Sequence, residues 1–568
     1  MEALDWIVIG VFALALIGII VWVVKQKQND SADYFLGGRD ATWLASGASI
    51  FASNIGSEHL IGLAGAGASS GMAMAHWEIQ GWMILILGWV FVPFYSRSMV
   101  YTMPEFLERR YNSQSRTILS VISLISYVLT KVAVTVYAGG LVFQQVFGIK
   151  ELWGIDFFWI AAIGLVVLTA LYTIFGGMKS VLYTSVLQTP ILLLGSLIIL
   201  VLGFKELGGW DEMMRICGAV TVNDQGNTMT ELIRSNDDPN FPWLGALIGS
   251  AIIGFWYWCT DQFIVQRVHS GKNQKEARRG TIFGAYLKLL PVFLFLIPGM
   301  IAFALHQKYI GDGGFLPLLA NGTPNADAAF PTLVAKILPA GVKGLVVCGI
   351  LAALMSSLAS LFNSSAMLFT IDLYKRFKPQ TSEKKLVVIG QIATVVIVIL
   401  GILWIPIMRS VGDVLYTYLQ DVQSVLAPGI AAAFLLGITW KKTSAQGGMW
   451  GLIAGMVIGL TRLGAKVYYS NATVTDSSLF KYLFYDLNWL VFCGWMFLFC
   501  FVVLFCIFVV GVVSLFTTPP TAEKIQGLVF GTATSEQKAT TRASWNHWDI
   551  IHTVIILAIT AAFYWYFW

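Results

Sequence analysis

The stretch FASNIGSEHLIGLAGAGASSG, Phe51–Gly71, decides how this chain folds. It lies in a chain that is 57% hydrophobic and only 12% charged, yet it holds a glutamate, a histidine, an asparagine and a run of glycines. Glycine inside a helix costs about 1 kcal/mol relative to alanine. A charge at mid-bilayer costs about 2.5–3.5 kcal/mol on insertion scales. Irregular backbone at membrane depth survives only where protein or a water-filled cavity covers it. The stretch therefore predicts a buried, broken helix, whose unwound turn frees carbonyls for a cation or a polar solute. A glycine face used for close helix packing is the competing reading. Asn54, Ser57, Glu58 and His59 beside the glycines favour a binding role.

The rest of the chain supplies the membrane context. A soluble protein of 568 residues would carry roughly a quarter of them as charges. Apolar runs of about 20 residues recur instead, each long enough to cross the hydrocarbon core. About fourteen are readable, which predicts an all-α membrane protein. The first, Ile7–Val24, follows Glu2 and Asp5 and lacks a basic flank and a cleavage site, so it reads as a retained helix. One set of loops holds most of the 36 Lys and Arg. By the positive-inside rule those loops face the cytoplasm and both termini lie outside. Two external loops are long, about 204–241 and 306–330. The six cysteines show neither a disulfide framework nor metal-ligand spacing. No phosphate-binding G-x-x-x-x-G-K-[ST] is present, which weighs against a nucleotide-driven pump or an enzyme.

A second anomalous segment is GFWYWCTDQFIVQRV, Gly254–Val268. The two anomalies are the second and seventh apolar segments. They run in opposite directions, as an inverted repeat of five helices requires, and paired broken segments of this kind point to a transporter binding site. Other polar residues at membrane depth are Glu78, Lys288, Gln420 and Gln423, with Ser356 and Ser357 in LAALMSSLASLFNSS. Glu78 and Lys288 also fit a purely structural ion pair. Lys131 reads as a snorkelling or singly hydrogen-bonded lysine with no assigned role.

These residues resemble the sodium/glucose cotransporters of the sodium:solute symporter family. DYFLGGR, GASIFASNIGSEHLIGLAGAGASSG, YTMPEFLERRY, ALYTIFGGM, FWYWCTDQFIVQR, YLKLLP, LMSSLASLFNSS and FLLGITWKK fall in the family's order, most strongly between about 30 and 450. The resemblance implies a five-plus-five inverted-repeat core of the leucine-transporter kind with flanking helices. Its divisions would be 1–40 (external N-terminus and first peripheral helix), 41–205 (first repeat), 206–241 (external loop), 242–440 (second repeat) and 441–568 (C-terminal peripheral helices). It implies a sugar site at Asn54, His59, Glu78, Tyr257, Trp258, Lys288 and Gln420. Outer gates would be Leu63, Trp77 and Tyr416, with Tyr257 as inner gate. Sodium would be held by Ala52, Ile55 and Ala353 through carbonyls and by Ser356 and Ser357 through hydroxyls. The function implied is sodium-driven uptake of a neutral hexose, glucose or galactose, across a plasma membrane, with a bacterial inner membrane favoured. Alternatives are a related polyol such as myo-inositol, or a sugar-gated sensor or sodium leak. Three departures stand out. Gly254 replaces a side chain that touches sugar in relatives, leaving that contact absent or water-filled. Gly81 replaces a hydroxyl. Ser185 replaces an aspartate of a second sodium site, which, with Ala359 beside Ser360, predicts one sodium per substrate.

Overall fold

The computed structural model describes residues 1–26, 30–56, 58–238, 240–319, 322–411, 415–470, 478–486 and 499–568. Among them, eight helices are long and apolar enough to span a membrane, from Ala3–Val24 to His547–Tyr566. One of them is long enough for two crossings. Phe157–Leu207 runs for 51 residues but turns at Gly177, where φ is 53°. It thus supplies two neighbouring segments without a loop. Sheet structure among the described residues is a two-stranded hairpin, Glu151–Leu152 with Ile155–Asp156.

Three interruptions organise the centre. The Trp43–Asn54 helix stops at Ile55, which is extended, and the chain resumes as a π-helical turn, Glu58–Leu63, and then Ala64–Ser70. The Trp243–Gly254 helix continues through the wide turn Phe255–Thr260 and breaks at Asp261, also extended, before Gln262–His269. Both anomalous stretches are therefore broken helices. The third break was not foreseen. Ala75–Glu78 and Gly81–Ile86 are separated by Ile79 and Gln80, whose ψ values, 38° and 23°, leave the helical region.

The glycine run does two jobs. Its first part is the break. Its second part is packing: a Cβ on Gly67 would collide with the backbone carbonyl of Leu296, so Ala64–Ser70 and the helix containing Leu296 approach backbone to backbone. The Trp43–Asn54 helix also packs on Gln274–Lys288, which carries Lys288 at its last position. Ser53 joins it to Val342–Met367 through a hydroxyl contact of 2.6 Å with Ser360. The centre of the bundle is thus bounded by both broken helices, by Gln274–Lys288 and by Val342–Met367.

Candidate functional site

A cavity of about 70 Å³ lies between these elements, room for about five waters. Asn54, His59, Trp77, Glu78, Tyr257, Trp258, Lys288 and Ser357 all line it. The polar side chains form one string. The Tyr257 hydroxyl accepts from the Asn54 amide at 3.1 Å. The Asn54 carbonyl accepts from Lys288 Nζ at 3.1 Å, and Lys288 also reaches Glu78 Oε2 at 2.5 Å. His59 Nε2 closes the string on the same carboxylate oxygen at 3.2 Å. Lys288 also lies 5.4 Å from the Trp258 ring centroid. The first broken helix brings Asn54 and His59, the second brings Tyr257 and Trp258, and the third break turns Glu78 inward.

Glu78 and Lys288 are only 3% and 2% exposed. A pair so buried must be matched in charge, since one ion alone would be strongly destabilising there. The pair leaves other polar groups spare. His59 Nδ1 and Trp77 Nε1 are buried and have no hydrogen-bond partner among the described residues. Buried polar atoms are nearly always partnered, so these two unpartnered atoms stand out on the cavity wall.

Among the expected outer gates, Trp77 lines the cavity and meets Phe241 edge-on at 6.1 Å. Leu63 is fully buried and is not part of the cavity wall. Gln420, Gln423 and Tyr416 lie on the Leu415–Thr439 helix, and their side chains fall outside the described residues.

The expected sodium residues gather beside the first break. Ala52 and Ile55 are at its end, while Ala353, Ser356 and Ser357 share one face of Val342–Met367, as spacings of three and four require. All five are at most 2% exposed. Ser357 Oγ lies 3.2 Å from where a Cβ on Gly56 would stand, which puts the hydroxyl against the unwound turn. Ser185 donates to the Val181 carbonyl at 2.6 Å and lies 3.3 Å from Ser356 Oγ and 3.4 Å from Ser49 Oγ. Its surroundings are hydroxyls where the departure from aspartate had been noted.

Of the two readings of Lys131, the structure shows the buried, hydrogen-bonded one. It does not snorkel. It is 8% exposed and pairs with Asp261 Oδ2 at 2.8 Å, while Asp261 Oδ1 accepts from the Tyr127 hydroxyl. Its ammonium also sits 4.7 Å from the ring centroids of both Tyr257 and Phe263. Lys131 lies beside the second break, where it also lines the cavity. Asp261 was visible in the second anomalous stretch, but its partner lies 130 residues away. Gln80 and Glu58 also line the cavity without having been assigned. The signal for Gln80 was available, since an amide two residues beyond Glu78 in AHWEIQGW is out of place in an apolar segment. The expected gap at Gly254 is not empty, because the Gln80 amide occupies it.

Broken helices around a polar, charge-balanced cavity define a membrane solute carrier, in which the moving parts are helix halves and no reacting group is needed. The chain belongs to the sodium:solute symporter family, whose model matches residues 34–455. The human sodium/myo-inositol cotransporter 2 is 36% identical over 548 residues, covering 94% of this chain and 79% of that protein. Sodium/glucose cotransporter 4 of Danio rerio is 36% identical over 511 residues, covering 87% and 76%. In overall fold the chain resembles a sodium-coupled sialic acid symporter solved in a substrate-bound, outward-open state. The TM-score is 0.70 at 22% identity, with 92% of this chain and 99% of that one covered. The protein is a multi-pass, sodium-coupled solute symporter with sodium as its co-transported ion.

Proposed function

We propose that the protein couples inward sodium movement to uptake of a neutral, ring-shaped polyol by alternating access. The string of donors and acceptors from Tyr257 to His59, with spare groups on His59 and Trp77, carries this reading. Hydroxyls both donate and accept, so amide, ammonium, carboxylate and indole can each pair with one. Tyr257 and Trp258 offer ring faces to the apolar side of a pyranose or inositol ring. The Glu78–Lys288 pair cancels in charge, which favours a neutral solute over a sugar acid. Similarity to a named myo-inositol cotransporter and a named glucose cotransporter supports both inositol and hexose as substrates.

In this reading the five-plus-five core of about fourteen helices is divided at the boundaries given above, and both termini lie outside on the Lys and Arg bias. Sodium sits between the first break and Ser356 and Ser357. It holds the unwound turn in one arrangement and so raises the population of the state that accepts substrate from outside. Labelled D-glucose, D-galactose and myo-inositol should each be offered to proteoliposomes with and without an inward sodium gradient. Sodium-dependent accumulation of at least one is expected. Uptake that only equilibrates, gradient or not, would make the protein a sensor or leak on this scaffold.

A further inference from the structure

In a regular helix, residues two apart point to opposite sides. Glu78 and Gln80 nevertheless line the same cavity, because the helix is interrupted between them at Ile79. Gln80 is 4% exposed and its amide is held at both ends. Nε2 donates to the Ser250 carbonyl at 2.8 Å, and Oε1 accepts from Trp258 Nε1 at 3.2 Å. An indole N–H only donates and a backbone carbonyl only accepts. The two partners therefore allow a single orientation of the amide, oxygen toward Trp258 and nitrogen toward Ser250.

Ser250 and Gly254 are one turn apart on the Trp243–Gly254 helix. A Cβ at position 254 would stand 2.6 Å from Gln80 Oε1 and 3.1 Å from its Cδ. The amide fills the room that the missing side chain leaves. A carboxamide has two N–H donors and two acceptor lone pairs, of which Ser250 and Trp258 use one each. One donor and one lone pair remain on a group that lines the cavity.

We propose that Gln80 is a specificity-determining residue of this carrier, supplying from the third segment the substrate contact that position 254 lacks. Resting on the polyol reading above, the inference assigns the spare N–H and lone pair of the clamped amide to a pair of neighbouring substrate hydroxyls. One hydroxyl accepts and the other donates, so the order of the two groups is read as well as their presence. A mis-set hydroxyl leaves a buried polar group unpaired, which is how such sites reject near-isosteric analogues.

The test is uptake at saturating sodium of D-glucose, D-galactose and myo-inositol in proteoliposomes. Gln80→Met keeps length and removes both spare groups. It should raise the half-saturating concentration of the preferred substrate about tenfold or more. It should also bring the uptake ratio between glucose and galactose toward one. Gly254→Ala should weaken uptake by displacing the amide. Adding Gln80→Ala to Gly254→Ala should not restore uptake, since the contact itself is then gone. A Gln80→Met protein with wild-type preference overturns the inference. So does a Gly254→Ala, Gln80→Ala double variant with wild-type affinity and preference, and that variant decides alone if Gln80→Met fails to reach the membrane. A wild-type protein that takes up none of the three under a sodium gradient overturns the substrate reading and this inference together. A wild-type preference that the variants leave intact overturns this inference alone.

Discussion

The two broken helices are interrupted in chemically different ways. At the first break the hydrogen bonds are backbone ones, Ile55 to Phe51 and His59 and Leu60 to Gly56. The Glu58 carboxylate and the Ser357 hydroxyl both stand against it, 2.6 and 3.2 Å from where a Cβ on Gly56 would lie. At the second break Asp261 caps the next helix through the Phe263 amide and is itself clasped by Lys131 and Tyr127. The first break presents a carboxylate and a hydroxyl oxygen beside its unwound backbone. The other carries its own charges and pairs them internally. A site that must take up and release a monovalent cation each cycle suits the first arrangement. A break that must keep its shape suits the second. The difference shows that a helix break is not by itself an ion site; what satisfies the break decides its use.

The largest expected effect comes from unclasping the second break. Asp261→Ala leaves Lys131 buried and unpaired, a change that typically costs about 3–5 kcal/mol. Thermal unfolding in detergent should show a marked loss of stability. Asp261→Leu combined with Lys131→Met should recover much of it, since an apolar replacement of a whole buried pair is often neutral. If Asp261→Ala melts like the wild type, the second break is not held by its charges and the contrast collapses.

The string between the breaks comes next. Glu78→Ala and Lys288→Ala should each reduce sodium-driven uptake about tenfold or more, from hydrogen bonds worth about 1–3 kcal/mol when a charged or buried partner is left unmatched. Uptake normalised to protein in the membrane is the quantity to compare. Normal transport by both variants removes the pair from the substrate site. Loss of the protein from the membrane in both would favour a structural role.

A smaller effect is expected at the first break. Ser357→Ala should raise the sodium concentration for half-maximal uptake about three- to tenfold, the equivalent of one modest hydrogen-bond-sized ligand. Substrate affinity at saturating sodium should change less. An unchanged sodium dependence would take this hydroxyl out of the ion site.

The subtlest prediction concerns the count of ions. Ser185 among hydroxyls offers no carboxylate to offset repulsion between two cations, so one sodium per substrate is expected. One charge through about 100 mV supplies about 2.3 kcal/mol, and a tenfold sodium gradient adds about 1.4. Together they limit accumulation to roughly 500-fold with one ion, and to the square of that with two. Reversal potentials in proteoliposomes read the ratio directly. A value near two charges per substrate would show that the neutral surroundings of Ser185 still hold a second ion. Ser185→Asp should move the ratio upward.

Local chemistry made much of this legible before any coordinates. Glycine, Asn54 and His59 in an apolar run cannot form a lipid-facing helix, so the first break and its burial follow from solvation energies alone. The same argument reaches the second break through Gly254–Val268. The membrane class, the family resemblance and the residues of the string from Asn54 to Lys288 were likewise written in composition and motif order. What only the tertiary structure decided are the partnerships across long separations. Lys131 reads equally as a snorkelling or a singly hydrogen-bonded lysine until Asp261, 130 residues on, is placed against it. Gly254 looked like a lost contact until the chain break at Ile79 turned Gln80 into its place. Whether a polar residue at membrane depth faces lipid, a partner or a cavity depends on which helix packs beside it. Close packing of distant segments settles that choice, and periodicity within one segment cannot express it.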